Sequence, residues 1–171
     1  STPKPSSAAS DVYKRQVYVP AKEQNIYNLV KGLKEKNLID GIGLQPTVDL
    51  YNPDELKGDS YDSFENCLKK YAELNVDIQI TELSFKIDEE TGERDEKSLK
   101  RQADRYQEMF ELLKKMDTAN GGPCNITSVT VFGICDDYPL YDDLVQCLYL
   151  WNKNAKPKES FYRVREVGES K

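Results

Sequence analysis

No histidine occurs among the 171 residues. Within the chain this excludes Ser-His-Asp and Cys-His triads, histidine general bases and histidine-ligated zinc, all of which need an imidazole. Chemistry carried here rests on carboxylates, hydroxyls or thiols. Thiols are few: Cys67, Cys124, Cys135 and Cys147 stand 57, 11 and 12 positions apart, which matches no CxxC metal or redox pattern. They read as buried or unpaired thiols, since cysteine commonly packs as a small hydrophobe; one disulfide, such as Cys124 with Cys135, stays open. No apolar run approaches the roughly 18 residues of a spanning helix, and the first residues carry no apolar core of the signal-peptide kind. Basic charge is also short. With 24 Lys+Arg against 30 Asp+Glu and a net charge of −6, the chain offers no positive field to a phosphate backbone. Neither a membrane nor a nucleic acid is an expected partner, and the length fits one domain.

Residues 1–16, STPKPSSAASDVYKRQ, are rich in Ser, Pro and Ala without apolar periodicity and read as a disordered tail. Within it, Asp11-Val12-Tyr13-Lys14-Arg15-Gln16 resembles the in-frame translation of the transposase end sequence of sequencing-library adapters, GAT GTG TAT AAG AGA CAG. Residues 1–16 are therefore expected to be adapter-derived and are set aside from the fold. Native sequence is expected from Val17, in the middle of a gene, as one unit over residues 17–171.

From residue 21 to 36, Ile26, Leu29, Val30 and Leu33 mark one helical face. Residues 40–45 predict a strand running to Pro46. A second helix carries Phe64, Cys67, Leu68, Tyr71 and Ala72, with Asp62 and Glu65 as a capping box. Val76 to Phe85 reads as a strand that places Ile78, Ile80, Glu82 and Ser84 on one face. The charged run 88–96 reads as a solvated loop, and residues 97–116 as a long helix stopped by Asn120-Gly121-Gly122-Pro123. Residues 128–134 are β-branched and nearly continuous, as in a strand covered on both faces. A polar loop, 135–143, follows, and residues 148–167 end in a helix packed by its aromatics. Asp136, Asp137, Asp142 and Asp143 lack the spacing of a calcium loop and read as a solvated rim. No metal site is expected.

Alternating helices and strands are the grammar of an α/β fold with a parallel sheet. A doubly wound sheet usually carries a glycine-rich turn after a strand, whereas Gly41-Ile42-Gly43 lies inside one. The alternative is part of a (β/α)8 TIM barrel, which needs about 250 residues to close.

Five motifs, in order and spacing, bear on that choice: Ile26-Tyr27-Asn28-Leu29-Val30; Asp40-Gly41-Ile42-Gly43-Leu44-Gln45; Ile80-Thr81-Glu82-Leu83; Thr130-Val131-Phe132-Gly133 followed by Asp136-Asp137-Tyr138; and Lys156-Pro157-Lys158 ahead of Phe161-Tyr162. Together they resemble the C-terminal half of glycoside hydrolase family 10. The resemblance implies a partial (β/α)8 barrel, about strands 6 to 8 with flanking helices. It implies a retaining endo-1,4-β-xylanase that takes xylan or xylo-oligosaccharide, needs no cofactor and has no evident obligate protein partner. Glu82 matches the family's nucleophile, at the C-terminal end of a barrel strand. The acid/base glutamate, in an Asn-Glu pair after the fourth strand, is expected upstream of Val17, so this chain alone is expected to be inactive.

Gln45 matches a glutamine beside the sugar. Thr47 stands where the family has histidine and Ser84 where it often has aspartate; those two side chains adjoin the nucleophile and help set its ionisation. Phe132 and Leu140 replace tryptophans, and with Tyr138 and Tyr141 would reshape the sugar subsite. Two further readings stay open: a non-catalytic glycan-binding domain derived from the same barrel, and a β-1,4-glucan-active relative. A secreted parent is expected because polymeric xylan cannot enter a cell, with no signal segment in these residues.

Overall fold

The computed structural model describes residues 20–49, 63–86, 95–131, 133–136 and 149–170. Helix α1 spans Pro20–Glu35, its first position suiting proline because the missing N–H has no intrahelical partner there. Val30 on its expected apolar face is buried, with Ile26 packed beside it. The strand expected at 40–45 is β1, Gly41–Leu44. It does not end at Pro46, however, but resumes as β2, Thr47–Asp49. Proline has no N–H for the ladder, and the pairing lapses over Gln45 and Pro46 and then continues.

Helix α2, Phe64–Ala72, is capped by Ser63, whose Oγ accepts from the Asn66 N–H at 3.1 Å. The cap expected at Asp62 is therefore one residue early. The Glu65 carboxylate pairs with Lys115 at 3.0 Å and Lys69 at 3.4 Å, and Asp62 itself lies outside the described residues. Strand β3, Asp77–Lys86, leads to helix α3, Glu96–Met116, whose N-cap Asp95 accepts from the Ser98 N–H at 2.7 Å. The helix stops before Asn120, because Asp117 turns to extended backbone and bridges Cys124. Gly121, at φ 83°, closes the short 3-10 turn between them. Strand β4, Asn125–Val131, starts three residues earlier than its β-branched run suggests, and helix α4 is Glu159–Glu169. As expected, aromatics seat α4: Phe161 packs on Trp151 with ring centroids 5.2 Å apart. Arg163 Nη1 also donates to Gln107 of α3 at 2.8 Å.

All pairings in the sheet are parallel. Strand β3 is central, with β1 and then β2 along one edge and β4 along the other. Ile42, Leu44, Ile78, Ile80, Leu83 and Phe85 are buried in one continuous core with Phe64, Leu68, Tyr71, Tyr106, Met109 and Leu113 of the helices. Burying each large side chain is worth about 1.5–3 kcal/mol. The opposite face is small and polar: Gly41, Gly43, Asp77, Gln79, Thr81, Asn125, Ser128 and Thr130 lie on it partly or fully exposed. Strand β4 is thus not covered on both faces, since only Ile126, Val129 and Val131 pack against the core. Among the described residues the helices lie on one face only, which distinguishes a barrel wall from a doubly wound sheet.

Among the described residues no helix is long and apolar enough to cross a membrane. Cys67, Cys124 and Cys135 are free, so the Cys124–Cys135 disulfide is not formed. The tail at 1–16, Phe132, Tyr138, Leu140, Tyr141, Cys147 and Asp137, Asp142 and Asp143 lie outside the described residues.

Candidate active site

Between Ile80 and Ser84, strand β3 contains one residue more than the strands on either side; nearer its start the extra residue lies in β4, at Thr127, because Ile78 pairs with Ile126 and Gln79 with Ser128. Leu44 pairs with Ile80 and Thr47 with Ser84, so β3 advances four positions where the adjoining strand advances three. On the other edge Ile80 pairs with Val129 and Leu83 with Val131, again one residue in surplus. The surplus falls at Thr81-Glu82. It is a β-bulge, a device that re-aims side chains and is common beside active sites. Its effect is legible in the burial: Ile78 and Ile80 face the core, and after the bulge Leu83 and Phe85 do. Strict alternation would have carried Glu82 into the core behind Ile78 and Ile80. The expectation that these three and Ser84 share a face is therefore corrected, and Glu82 is only partly buried.

Opposite the bulge, Gln45 Nε2 donates to Glu82 Oε1 at 2.9 Å. A hydrogen bond to a carboxylate is charge-assisted and stronger than one between neutral groups. The Thr81 hydroxyl donates to the Leu44 carbonyl at 3.2 Å, and the Ser84 N–H to the Pro46 carbonyl at 3.3 Å. Ser84 is buried at 7% exposure, and its register partner is Thr47. Of the residues singled out from sequence, Gln45, Glu82, Ser84 and Thr47 thus come together at one place in the sheet. Thr81 and the bulge were missed, although the spacing of Ile78, Ile80, Leu83 and Phe85, which slips from two to three and back, carries the signal.

A second cluster departs from expectation. Asp136 is 7% exposed rather than part of a solvated rim. Its carboxylate binds Lys158 Nζ at 3.0 Å and accepts the Tyr149 N–H at 3.1 Å. Burial of a charge needs this kind of pairing. The pair ties the segment after β4 to the start of α4, joining two of the motifs. Among the described residues no group of three or more His, Cys, Asp or Glu could hold a metal ion.

A parallel sheet with helices on one face, and on the other a carboxylate in the C-terminal half of its central strand, matches part of the wall of a (β/α)8 barrel, a fold whose active sites lie at the C-terminal ends of the strands. The chain belongs to glycosyl hydrolase family 10, whose sequence profile matches residues 12–167. It is 58% identical over 152 residues to a Caldicellulosiruptor saccharolyticus protein named "Putative endo-1,4-beta-xylanase", covering 89% of this chain and 48% of that protein. The crystal structure of an endo-1,4-beta-xylanase from Caldicellulosiruptor owensensis superposes with a TM-score of 0.71 at 29% identity, over 88% of this chain and 46% of that one. A variant of an intracellular xylanase from Thermoanaerobacterium saccharolyticum, in complex with xylotriose, gives a TM-score of 0.68 at 25% identity, over 88% and 42%. The chain spans about half the length of the relatives it matches.

Proposed function

We propose that residues 17–171 form the sixth to eighth strands of a retaining endo-1,4-β-xylanase, with Glu82 as its nucleophile and residues 1–16 outside the domain. The observation that carries this reading is the Glu82 carboxylate, lifted out of the core by the bulge and held by Gln45 at 2.9 Å. Kinship with xylanases supplies the substrate class. In this chemistry one carboxylate attacks the anomeric carbon while a second carboxyl group, about 5–5.5 Å away, protonates the departing oxygen. The second group then takes a proton from water, and that water releases the sugar from Glu82. The acid/base is assigned to the part of the barrel around its fourth strand.

Gln45 serves two purposes in this reading, orienting the nucleophile and meeting a sugar hydroxyl. Thr47, Ser84, Phe132 and Tyr138 complete the sugar-binding surface. No step calls for a cofactor. Polymeric xylan requires a secreted enzyme, whereas the kinship with an intracellular xylanase supports action on imported xylo-oligosaccharides; fractionating the producing cells separates the two.

Hydroxyls at Thr47 and Ser84, in place of the family's imidazole and carboxylate, favour a second reading in which the barrel binds xylo-oligosaccharides without cleaving them. One experiment addresses both. In the complete protein, Glu82→Ala is expected to lower the release of reducing ends from xylan by on the order of 10⁶-fold, the scale seen when a covalent nucleophile is removed. Undiminished release refutes the nucleophile. Xylo-oligosaccharide binding by the unsubstituted protein, with no reducing ends from xylan or β-1,4-glucan at any pH, establishes the binding reading instead.

A further inference from the structure

The Gln45–Glu82 contact joins two side chains on neighbouring strands at the point where their ladder is irregular. A bulge leaves its extra residue unpaired and loosens the local backbone, so some other contact must fix the distance between the strands there. One residue along on each strand, the Thr81 hydroxyl donates to the Leu44 carbonyl at 3.2 Å. Leu44 precedes Gln45, and Thr81 precedes Glu82. The two hydrogen bonds are therefore adjacent rungs, one from side chain to backbone and one between side chains, which together close a small clamp across the bulge.

Thr81 is itself held. A β-carbon built at Gly43 would lie 3.0 Å from its Cγ2 and 3.4 Å from its Oγ1, so the glycine leaves room for a threonine side chain lying across β1. A β-branched residue packed in this way has little rotational freedom about χ1, and its hydroxyl keeps one direction.

We infer that Thr81 is a positioning residue for the Glu82 carboxylate: its hydroxyl, by holding the Leu44 carbonyl, sets the place from which Gln45 reaches Glu82. This rests on the reading of Glu82 as nucleophile. Thr81 touches no reacting atom. Its effect passes through the backbone from Leu44 to Gln45, and a displacement of about 1 Å at a reacting group can cost about 10²-fold in rate.

The test uses the complete protein and an aryl xyloside. Thr81→Val keeps the branched shape and removes the hydroxyl; it is expected to lower kcat about 10- to 100-fold with KM changed less than about threefold. Thr81→Ser keeps the hydroxyl and is expected to stay within about threefold of the unsubstituted protein in kcat. Parental kcat in Thr81→Val overturns the inference, as does Thr81→Ser falling as far as Thr81→Val, because packing would then explain both. Should Thr81→Val fail to fold, Gly43→Ala crowds the Thr81 methyl and is expected to lower kcat. Adding Thr81→Ser, which lacks that methyl, should then restore it, and absence of this coupling counts against the inference. Glu82→Ala, run alongside, keeps the two failures apart: its activity sinks the nucleophile, whereas an inactive Glu82→Ala beside a fully active Thr81→Val sinks only Thr81. If the complete protein binds but does not hydrolyse, the crystal structure of Thr81→Val decides. The Gln45–Glu82 separation is expected to open beyond 3.5 Å, and an unchanged contact overturns the inference.

Discussion

Asp136 and Lys158 are 22 positions apart and meet at 3.0 Å with both side chains buried. Nothing in the run Asp136-Asp137 distinguishes the first aspartate from a solvated one; its burial depends on a lysine that the chain returns to it much later. Removing one partner of a buried pair strands the other charge and costs about 3–5 kcal/mol. Asp136→Ala also deprives the Tyr149 N–H of its acceptor. The variant of the complete protein should accordingly lose about 3–5 kcal/mol in urea denaturation, and a loss below about 1 kcal/mol would mean that the pair is relaxed or solvated. Glu82 presents the opposite case. Its motif makes it conspicuous in the sequence, yet its hydrogen bond to Gln45 spans 37 positions and depends on strand register.

At the scale of elements, periodicity carried most of the information. The apolar stripe of α2 appears where the sequence puts it, because a buried helical face demands that spacing whatever it packs against; on α1 Val30 is buried and Ile26 packs beside it, but Leu29, expected on the same face, is 54% exposed. Ends were less legible. Strand β2 resumes after a lapse of only two residues, Gln45 and Pro46, and Ser63 rather than Asp62 caps α2, since a cap is fixed by which side chain reaches an N–H. Two residues beyond the end of β4 lies a more exacting position. Gly133 has φ 86°, and a β-carbon there would fall into the ring of Tyr149. A side chain at this position meets both the left-handed backbone penalty and an overlap that the buried Tyr149 cannot escape cheaply. Gly133→Ala should therefore destabilise the complete protein by about 2–4 kcal/mol, read as a lowered thermal midpoint. A midpoint within a degree of the unsubstituted protein would show that Tyr149 can move aside.

For the whole molecule, the acids of the core set the alkaline limit. Burial, with Asp117 adding to it, pushes the Cys124 thiol up to about 11 from its ordinary 9.0. Burial raises Cys67 further, and burial with the nearby Asp136 raises Tyr106 and Tyr149 above their ordinary 10.0. Unfolded thiols lose protons near pH 9 and unfolded tyrosines near pH 10, while the folded chain keeps them. Between about pH 9 and 11 the native state thus binds more protons than the unfolded state, so stability falls as pH rises. The urea midpoint should be level from pH 7 to 8 and decline above about 9; a midpoint unchanged at pH 10.5 would contradict the burial of these groups.

By itself the sequence determined where the helices lie, the presence of three strand segments and the motifs that tie the chain to its family, because each depends on residues close together in the chain. It also excluded imidazole chemistry from side chains within these 171 residues. Tertiary structure alone decided which face of the sheet stays uncovered, that Asp136 is buried, and that Glu82 leaves the core side to meet Gln45. The last follows from one residue of β3 that is surplus between Ile80 and Ser84; the slip in the apolar spacing of Ile78, Ile80, Leu83 and Phe85 signals it, but a surplus exists only relative to the strands on either side, which the fold alone brings together.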